Sequence, residues 1–430
     1  EVHTCFELVD KLLDLIPNHL WTNIHRIADL SCGKGNIVRG IYSRFFQGLE
    51  ETIPNPIERS KRILSECIYI ADIEPINIFT TEFLLCLEAQ ADTGVPYTEF
   101  ESLINSNEGN SLHLNIKEKW NIEGFDAIIE NPPYNEKTES GKSKQGKKKL
   151  YSDFMHQELS RLKENGYLVY VTPLGWITGS MSIYNEVIKY NLEYINFHNV
   201  KEKYFPDVGD TLCYYSICKC PNKYSTTVID TNGNQITKSF HNKKESKLFP
   251  VIFSEENLKF NDIVLTENTI YNKFINVKEW REGTRDNMIA EKSDEYSYEI
   301  REFKTNAPSK FTNIYRPDRY GKKFIIYEIC GSFDCKYYDR NVYAGSHTFY
   351  IDILNDNYGV LLEKWFQTPL FKKLFDINKS SQYLKNGLVK HVRLPSESSH
   401  LLTKDLQNIN LLNYQYAFYK IPSELKNLIN

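Results

Sequence analysis

The 430-residue sequence lacks any run approaching the roughly 20 apolar residues of a membrane span, so no membrane partner is expected. Its first ten residues, EVHTCFELVD, lack a basic stretch leading into an apolar one, and no secretory signal is expected. They also lack an initiator Met, which leaves room for further domains upstream. There is no internal repeat. Cysteine is present at nine positions but without zinc-finger spacing; the single close pair, Cys218 and Cys220, leaves only one residue between the thiols. Reduced thiols, a cytoplasm-like compartment and no structural metal are expected. His156, His198 and the other histidines have no partners at metal-ligand spacing. A hydrophobic content of 41% against 25% charged residues excludes a disordered or collagen-like chain. The length suggests two or three domains.

An overall positive charge is lacking too. The net charge is −4, which argues at first against nucleic acid. The halves differ, however. Residues 1–220 carry 22 Lys and Arg against 31 Asp and Glu, whereas residues 221–430 carry 30 against 25. An acidic half followed by a basic half suggests two jobs on one chain. Aromatics are abundant, at 13%, and serve either as core or as platforms for stacking bases.

The first half alternates strand-like and helix-like segments. Helical spacing runs from Phe6 to Ile16, and short apolar strands are read at 25–30, 68–71, 125–129, 166–172, 193–197 and 212–218. Helices are read at about 36–47, from 75 to 91, at 151–164 and at 179–190. This pattern predicts an α/β fold with a mostly parallel sheet covered by helices, and ligands at the carboxyl ends of the strands. Beyond residue 222 the alternation stops. Mixed short strands (251–253, 323–330, 343–353) and a helix-like run over 357–375 predict a mixed α+β domain at 223–430, following a domain at 1–222.

Two turns carry the chemistry. Asp29-Leu-Ser-Cys-Gly-Lys-Gly35 closes the first strand, and Gly33 and Gly35 let the backbone approach a ligand at a helix N-terminus. Asp72 ends the next strand, where a carboxylate can accept ribose hydroxyls. The 43-residue separation from Asp29 exceeds the usual ~20, and residues 48–66 read as an insertion that accounts for it. Asn131-Pro-Pro-Tyr134 follows an apolar strand directly, and its two prolines stiffen the turn. The Asn131 side-chain oxygen and the Pro132 carbonyl then offer two fixed acceptors for the two hydrogens of a planar amino group. Accepting both draws the nitrogen towards tetrahedral and aims its lone pair at a methyl donor held in line. Tyr134 would stack on the base.

On these residues the sequence resembles the S-adenosylmethionine-dependent adenine-N6 DNA methyltransferases that carry their target-recognition region C-terminally, over roughly residues 1–222. The resemblance implies a Rossmann-like catalytic domain followed by a target-recognition domain. Thr4-Cys5 resembles the segment that opens the cofactor pocket, with Cys5 in place of proline. Asp29, Ser31, Cys32, Gly33 and Gly35 resemble the methionine-binding loop. Asp72 is placed like the ribose-binding acid, with Ile73 against the adenine ring. Asn110 and Ser111, within Gly109-Asn-Ser-Leu112, resemble a segment whose Asp contacts the cofactor; Asn110 stands in its place. Asn131, Pro132, Pro133 and Tyr134 match the catalytic motif in full. Phe205, within Lys203-Tyr-Phe-Pro206, is placed to stack on the opposite face of a base flipped out of the duplex, with Tyr204 second.

The insertion at 136–149 holds Lys142, Lys144, Lys147, Lys148 and Lys149 and reads either as a solvated loop or as a phosphate-contacting one. The basic second half interleaves basic and aromatic residues, with Arg316 and Arg319 as candidate DNA contacts, and Val342–Pro395 loosely resembles target-recognition domains. Pro317-Asp318 with Glu328-Ile-Cys330 lacks the lysine of a nuclease motif and reads as a strand. The expected cofactor is S-adenosylmethionine and the expected partner double-stranded DNA, with or without a cognate restriction endonuclease, in a monomer or weak dimer. The alternatives are an Asn-Pro-Pro-Tyr methyltransferase acting on RNA or a protein glutamine, and a non-catalytic DNA specificity subunit.

Overall fold

Ile27–Asp29 (β1) lies in the middle of a sheet, pairing in parallel with Ile68–Asp72 (β2) on one side and with Phe125–Glu130 (β4) on the other. Every residue of β1 and β2 is buried, which is why both read as unbroken apolar runs rather than as alternation. The computed structural model describes residues 3–135, 150–177, 183–240, 250–265, 274–277, 288–302, 305–327, 334–378, 388–403 and 409–429. The chain divides into two units, Glu1–Ser246 and Lys247–Asn430.

In the first unit the remaining strands are Asn105–Glu108 (β3), Leu162–Pro173 (β5), Tyr190–Asn196 (β6), Leu212–Pro221 (β7), Thr226–Ile229 (β8) and Gln235–Lys238 (β9). The sheet order is β3-β2-β1-β4-β5-β7-β6-β8-β9. Strands β1 to β5 are parallel, and β7 enters antiparallel between β5 and β6. This is the Rossmann-like α/β architecture expected. The helices are Phe6–Leu13 (α1), Asn36–Gly48 (α2), Pro56–Arg62 (α3), Pro75–Thr93 (α4), Ile116–Trp120 (α5), Leu150–Arg161 (α6), Ile183–Val187 (α7) and Val200–Tyr204 (α8). Leu8, Val9, Leu12 and Leu13 of α1 share one core with Ile37, Val38, Ile41 and Phe45 of α2.

Two expectations are revised here. The domain edge expected at 222 falls inside this unit, because the chain continues into β8 parallel to β6 and then hairpins into β9. The stretch read as an insertion at 48–66 is part of the core. Asn55 caps α3 by accepting from the N–H groups of Ile57 (2.9 Å) and Glu58 (3.1 Å). Arg59 of the same helix is buried over the Phe46 ring and donates to the Ile53 carbonyl.

The second unit holds the sheet β10-β15-β13-β14-β11-β12, formed by Ile275–Val277 (β10), Tyr298–Arg301 (β11), Lys310–Thr312 (β12), Gly321–Tyr327 (β13), Asp334–Ala344 (β14) and Thr348–Asp352 (β15). All pairings are antiparallel except β11 with β14. Helices Glu255–Val264 (α9), Asp356–Phe366 (α10), Pro369–Asn378 (α11), Leu411–Phe418 (α12) and Ser423–Ile429 (α13) complete it. Phe324, Ile326, Phe349 and Ile351 pack with Leu362, Trp365, Phe366 and Phe371 in one core, so the mixed α+β expectation holds. The single helix read over 357–375 is two helices, because Pro369 cannot continue the first and starts the second. The strand read over 343–353 is the end of β14, a turn with His347 at φ 60°, and β15. Residues 251–253 form no strand; they lead into Ser254, whose hydroxyl caps α9 through the Asn257 N–H at 3.1 Å.

Candidate active site

The strand order reverses between β1 and β4, and a crevice opens at such a switch point beyond the carboxyl ends of the two strands. The sequence puts its two chemical turns there. Beyond β1, the Cys32 N–H donates to the Ala71 carbonyl at 3.0 Å, and Gly33 and Gly35 adopt φ of 51° and 83°. Gly35 is needed twice over. Its backbone is left-handed, and a methyl group there would lie 2.8 Å from Thr81 Oγ1 of α4. Thr81, which the sequence reading did not single out, also donates to the Gly33 carbonyl at 3.1 Å.

The cofactor candidates converge. Asp72 Oδ2 accepts from the Gly33 N–H at 2.9 Å. Its Oδ1 accepts from the Glu74 N–H at 2.9 Å and from Asn77 Nδ2 at 3.1 Å. The carboxylate thus fixes the glycine loop and the start of α4 together. The Gly109 N–H donates to the Asp72 carbonyl at 2.9 Å, which brings Asn110 alongside. Asn110 caps its own turn through Leu112 N–H at 3.0 Å. Ser111 is buried and its hydroxyl donates to the Leu30 carbonyl, so it braces the loop from behind. Ile73 is 64% exposed beside Asp72. A carboxylate, a flat apolar surface and a glycine loop at a helix N-terminus fit a cofactor with a ribose, an aromatic base and a charged tail.

The catalytic candidates meet the same crevice from β4. Asn131 Nδ2 donates to Thr4 Oγ1 at 3.3 Å, and Asn36 at the start of α2 donates to the Thr4 carbonyl at 2.8 Å. Thr4 therefore ties the start of α2 to the Asn131 turn. Cys5 beside it is exposed at the start of α1. The Tyr134 hydroxyl donates to Asn131 Oδ1 at 2.8 Å, its ring packs on the core, and burial pushes its phenol pKa up. Pro132 is buried and Pro133 exposed. The Leu150 N–H donates to the Tyr134 carbonyl at 3.1 Å, so the chain rejoins the turn after the insertion.

Behind both turns sit Asp29, expected in the cofactor loop, and two carboxyls that the sequence reading assigned to no task, Glu130 and Glu158. Asp29 is 2% exposed, and Glu130 and Glu158 are fully buried. Glu130 Oε2 accepts from the Leu30 N–H at 3.2 Å and from Ser31 Oγ at 3.3 Å. Burial pushes all three pKa values up, that of Glu130 to about 7. For Asp29 and Glu130 the sequence signal was an acid closing a strand; Glu158, on α6, had none.

Other candidates fall elsewhere. Phe205, expected to stack on a base, is 3% exposed and packs in the core with Val200, Leu212 and Tyr214, so it offers no free face here. Its neighbour Tyr204 is partly exposed beneath Lys203 Nζ. In the second unit Arg316 and Arg319 are exposed on the segment leading to β13. Four tyrosines hold that segment: Tyr298 stacks on Tyr315 (4.9 Å) and Tyr320 leans on Tyr343 (4.8 Å). The Tyr343 hydroxyl accepts from the Arg316 N–H at 2.5 Å. Lys142, Lys144, Lys147, Lys148 and Lys149 lie outside the described residues. Among the described residues no cluster of His, Cys, Asp or Glu could hold a metal ion, and no helix is long and apolar enough to cross a membrane.

Residues 66–205 match the Eco57I restriction-modification methylase family. The resemblance read from the motifs holds over this stretch, which runs from β2 through the Asn131-Pro-Pro-Tyr134 turn to Phe205. No curated protein matches the chain. Among solved structures, the Type IIL restriction-modification enzyme MmeI in complex with DNA is 10% identical, with a TM-score of 0.54 over 91% of this chain and 65% of that one. A nuclease-deletion mutant of the Type ISP restriction-modification enzyme LlaGI with a DNA substrate mimic is 12% identical, with a TM-score of 0.52 over 91% and 46%. A DrdV–DNA complex is 11% identical, with a TM-score of 0.51 over 81% and 49%. At such identities the likeness concerns the fold of the methylase-like unit and of the unit that follows it. The chain spans between about half and two thirds of the length of these proteins.

Proposed function

We propose that the chain is a site-specific DNA methyltransferase of a restriction-modification system, transferring a methyl group from S-adenosylmethionine to N6 of a flipped-out adenine. The observation that carries this reading is the Asn131-Pro-Pro-Tyr134 turn at the switch point, bonded through Thr4 to the helix that follows the glycine loop. The family match over 66–205 supports it, as do DNA complexes among the structural neighbours.

Bound S-adenosylmethionine would supply an electrophilic methyl group on its sulfonium. The chain's own residues do the rest. Gly33, Asp72, Ile73 and Asn110 hold and orient the cofactor. Asn131 Oδ1 and the Pro132 carbonyl accept the two amino hydrogens, and Tyr134 stacks on the base, which helps repay the few kcal/mol of flipping. Arg316 and Arg319 on the tyrosine-braced segment engage phosphates or base edges, and the lysines of 142–149 engage phosphates. The test is incubation of the chain with radiolabelled S-adenosylmethionine and duplex DNA, RNA or a glutamine peptide, followed by digestion and identification of the modified base. N6-methyladenine in duplex DNA is the expected product; label in RNA or peptide alone would refute the assignment.

A further inference from the structure

Glu130 occupies a position where an apolar residue would pack. It closes β4, is fully buried and directly precedes Asn131. A buried carboxyl is costly unless its hydrogen bonds compensate. Those of Glu130 go to one place. Its Oε2 accepts from the Leu30 N–H and the Ser31 hydroxyl, the two residues that follow β1 into the cofactor loop. The Leu30 carbonyl is taken by the Ser111 hydroxyl, so both sides of this residue are fixed.

A second fully buried carboxyl, that of Glu158 on α6, sits near Glu130; burial first, and then the neighbouring Glu130 charge, push its pKa well above the ordinary carboxylate range. Two neighbouring carboxyls shielded from water disfavour the doubly ionised form. One turn along α6, Arg161 donates to the carbonyls of Ser111 (2.7 Å) and Leu114 (2.6 Å). The cluster joins the cofactor loop, β4, the Ser111 turn and α6.

We propose that Glu130, backed by Glu158, is a positioning residue that sets the register between the cofactor loop and the Asn131 turn. The inference rests on the methyltransferase reading. Methyl transfer needs the donor carbon and the amino nitrogen aligned in a near-attack geometry, and a misplacement of 1 Å can cost about 100-fold in rate. Through Glu130, the residue adjoining the amino-group acceptor holds the start of the donor's loop. Loss of this link should therefore lower turnover more than ground-state binding.

The experiment compares the wild-type chain with Glu130→Gln, Glu130→Leu and Ser31→Ala. It measures kcat for methyl transfer to duplex DNA, affinity for S-adenosylhomocysteine by calorimetry, and melting temperature. Glu130→Leu should lose about 100-fold in kcat while affinity falls less than about fivefold. Glu130→Gln keeps an oxygen for Leu30 and Ser31 in nearly the same shape, and should restore kcat to within about fivefold of wild type. Should Glu130→Leu not fold, Ser31→Ala decides: a fall of about fivefold or more in kcat with affinity kept supports the proposal. Unchanged kcat in the folded variants, or parallel losses of kcat and affinity with no rescue by glutamine, would overturn it. A wild-type chain that methylates no DNA would overturn the methyltransferase reading and this inference with it.

Discussion

Replacing Tyr134 by phenylalanine separates the two jobs proposed for it at the Asn131 turn. The phenol donates to Asn131 Oδ1 at 2.8 Å, and the proposed chemistry gives that oxygen an amino hydrogen of the base. The base and the phenol therefore compete. The oxygen has two lone pairs, so the competition is partial. A neutral hydrogen bond of this kind contributes about 0.5–1.5 kcal/mol net, and removing it should ease engagement of the base by no more than about tenfold. The ring remains, and with it a stacking contribution of about 1–3 kcal/mol. Tyr134→Phe should thus show kcat/KM between unchanged and about tenfold higher. Tyr134→Ala, which loses the ring, should fall by about 10- to 100-fold. The assay is the initial rate of methyl transfer to a duplex containing the target, with 2-aminopurine at the target position reporting flipping by its fluorescence. If Tyr134→Phe falls as far as Tyr134→Ala, the hydroxyl serves the reaction rather than opposing it, and the competition argument is wrong.

Asn131→Ala should reduce transfer by at least about 100-fold while calorimetric binding of S-adenosylhomocysteine is kept; retained turnover would remove the side-chain oxygen from the chemistry. Asp72→Ala removes the acceptor of three hydrogen bonds and should weaken S-adenosylhomocysteine binding about tenfold or more, with a lower melting temperature. An unchanged affinity would take Asp72 out of the ribose site. Gly35→Ala, strained at φ 83° and pressed against Thr81, should cost about 1–3 kcal/mol in urea unfolding, partly recovered by Thr81→Ala. Glu130, surrounded by Asp29, Glu158 and Arg161, keeps its proton to about pH 7 when folded and releases it near its ordinary value of 4.5 when unfolded. The folded state therefore binds more protons across that window, and stability should fall as pH rises through it. Glu130→Gln should flatten this fall in urea midpoints measured at pH 5 and 7.5.

The central strands and both chemical turns were legible because fully buried parallel strands read as apolar runs and their turns as glycine or proline. What escaped reading was polar or non-local. Strand β3, Asn105-Ser-Asn-Glu108, has no apolar residue, yet it pairs with β2, and Asn105 Nδ2 bonds to the carbonyls of Leu64, Ser65 and Ile68. Strands β8 and β9 are four residues each, too short to show a period, and missing them moved the expected domain edge. Phe205 was judged by its motif, but its burial depends on Leu212 and Tyr214 from another strand. In the second unit a proline two-thirds of the way through an apolar run was outweighed by the run. Glu130 passed as the end of a strand, because a lone acid in sequence does not show that Leu30, Ser31 and Glu158 converge on it.

The charge asymmetry also changes meaning once the fold is known. With the division at residue 246, the first unit carries 26 Lys and Arg against 33 Asp and Glu, and the second 26 against 23. The formal −7 of the first unit counts Asp29 and Glu158 as full charges, although burial holds both pKa values well above the ordinary carboxylate range. Screening limits the reach of surface charges to about 8–10 Å at physiological salt, so a phosphate responds to the groups beside it and not to a sum over the chain. The pKa of Glu130, which adjoins Asn131, is held up at about 7 by burial, so the formal sum overstates the negative charge directly behind the Asn131 turn.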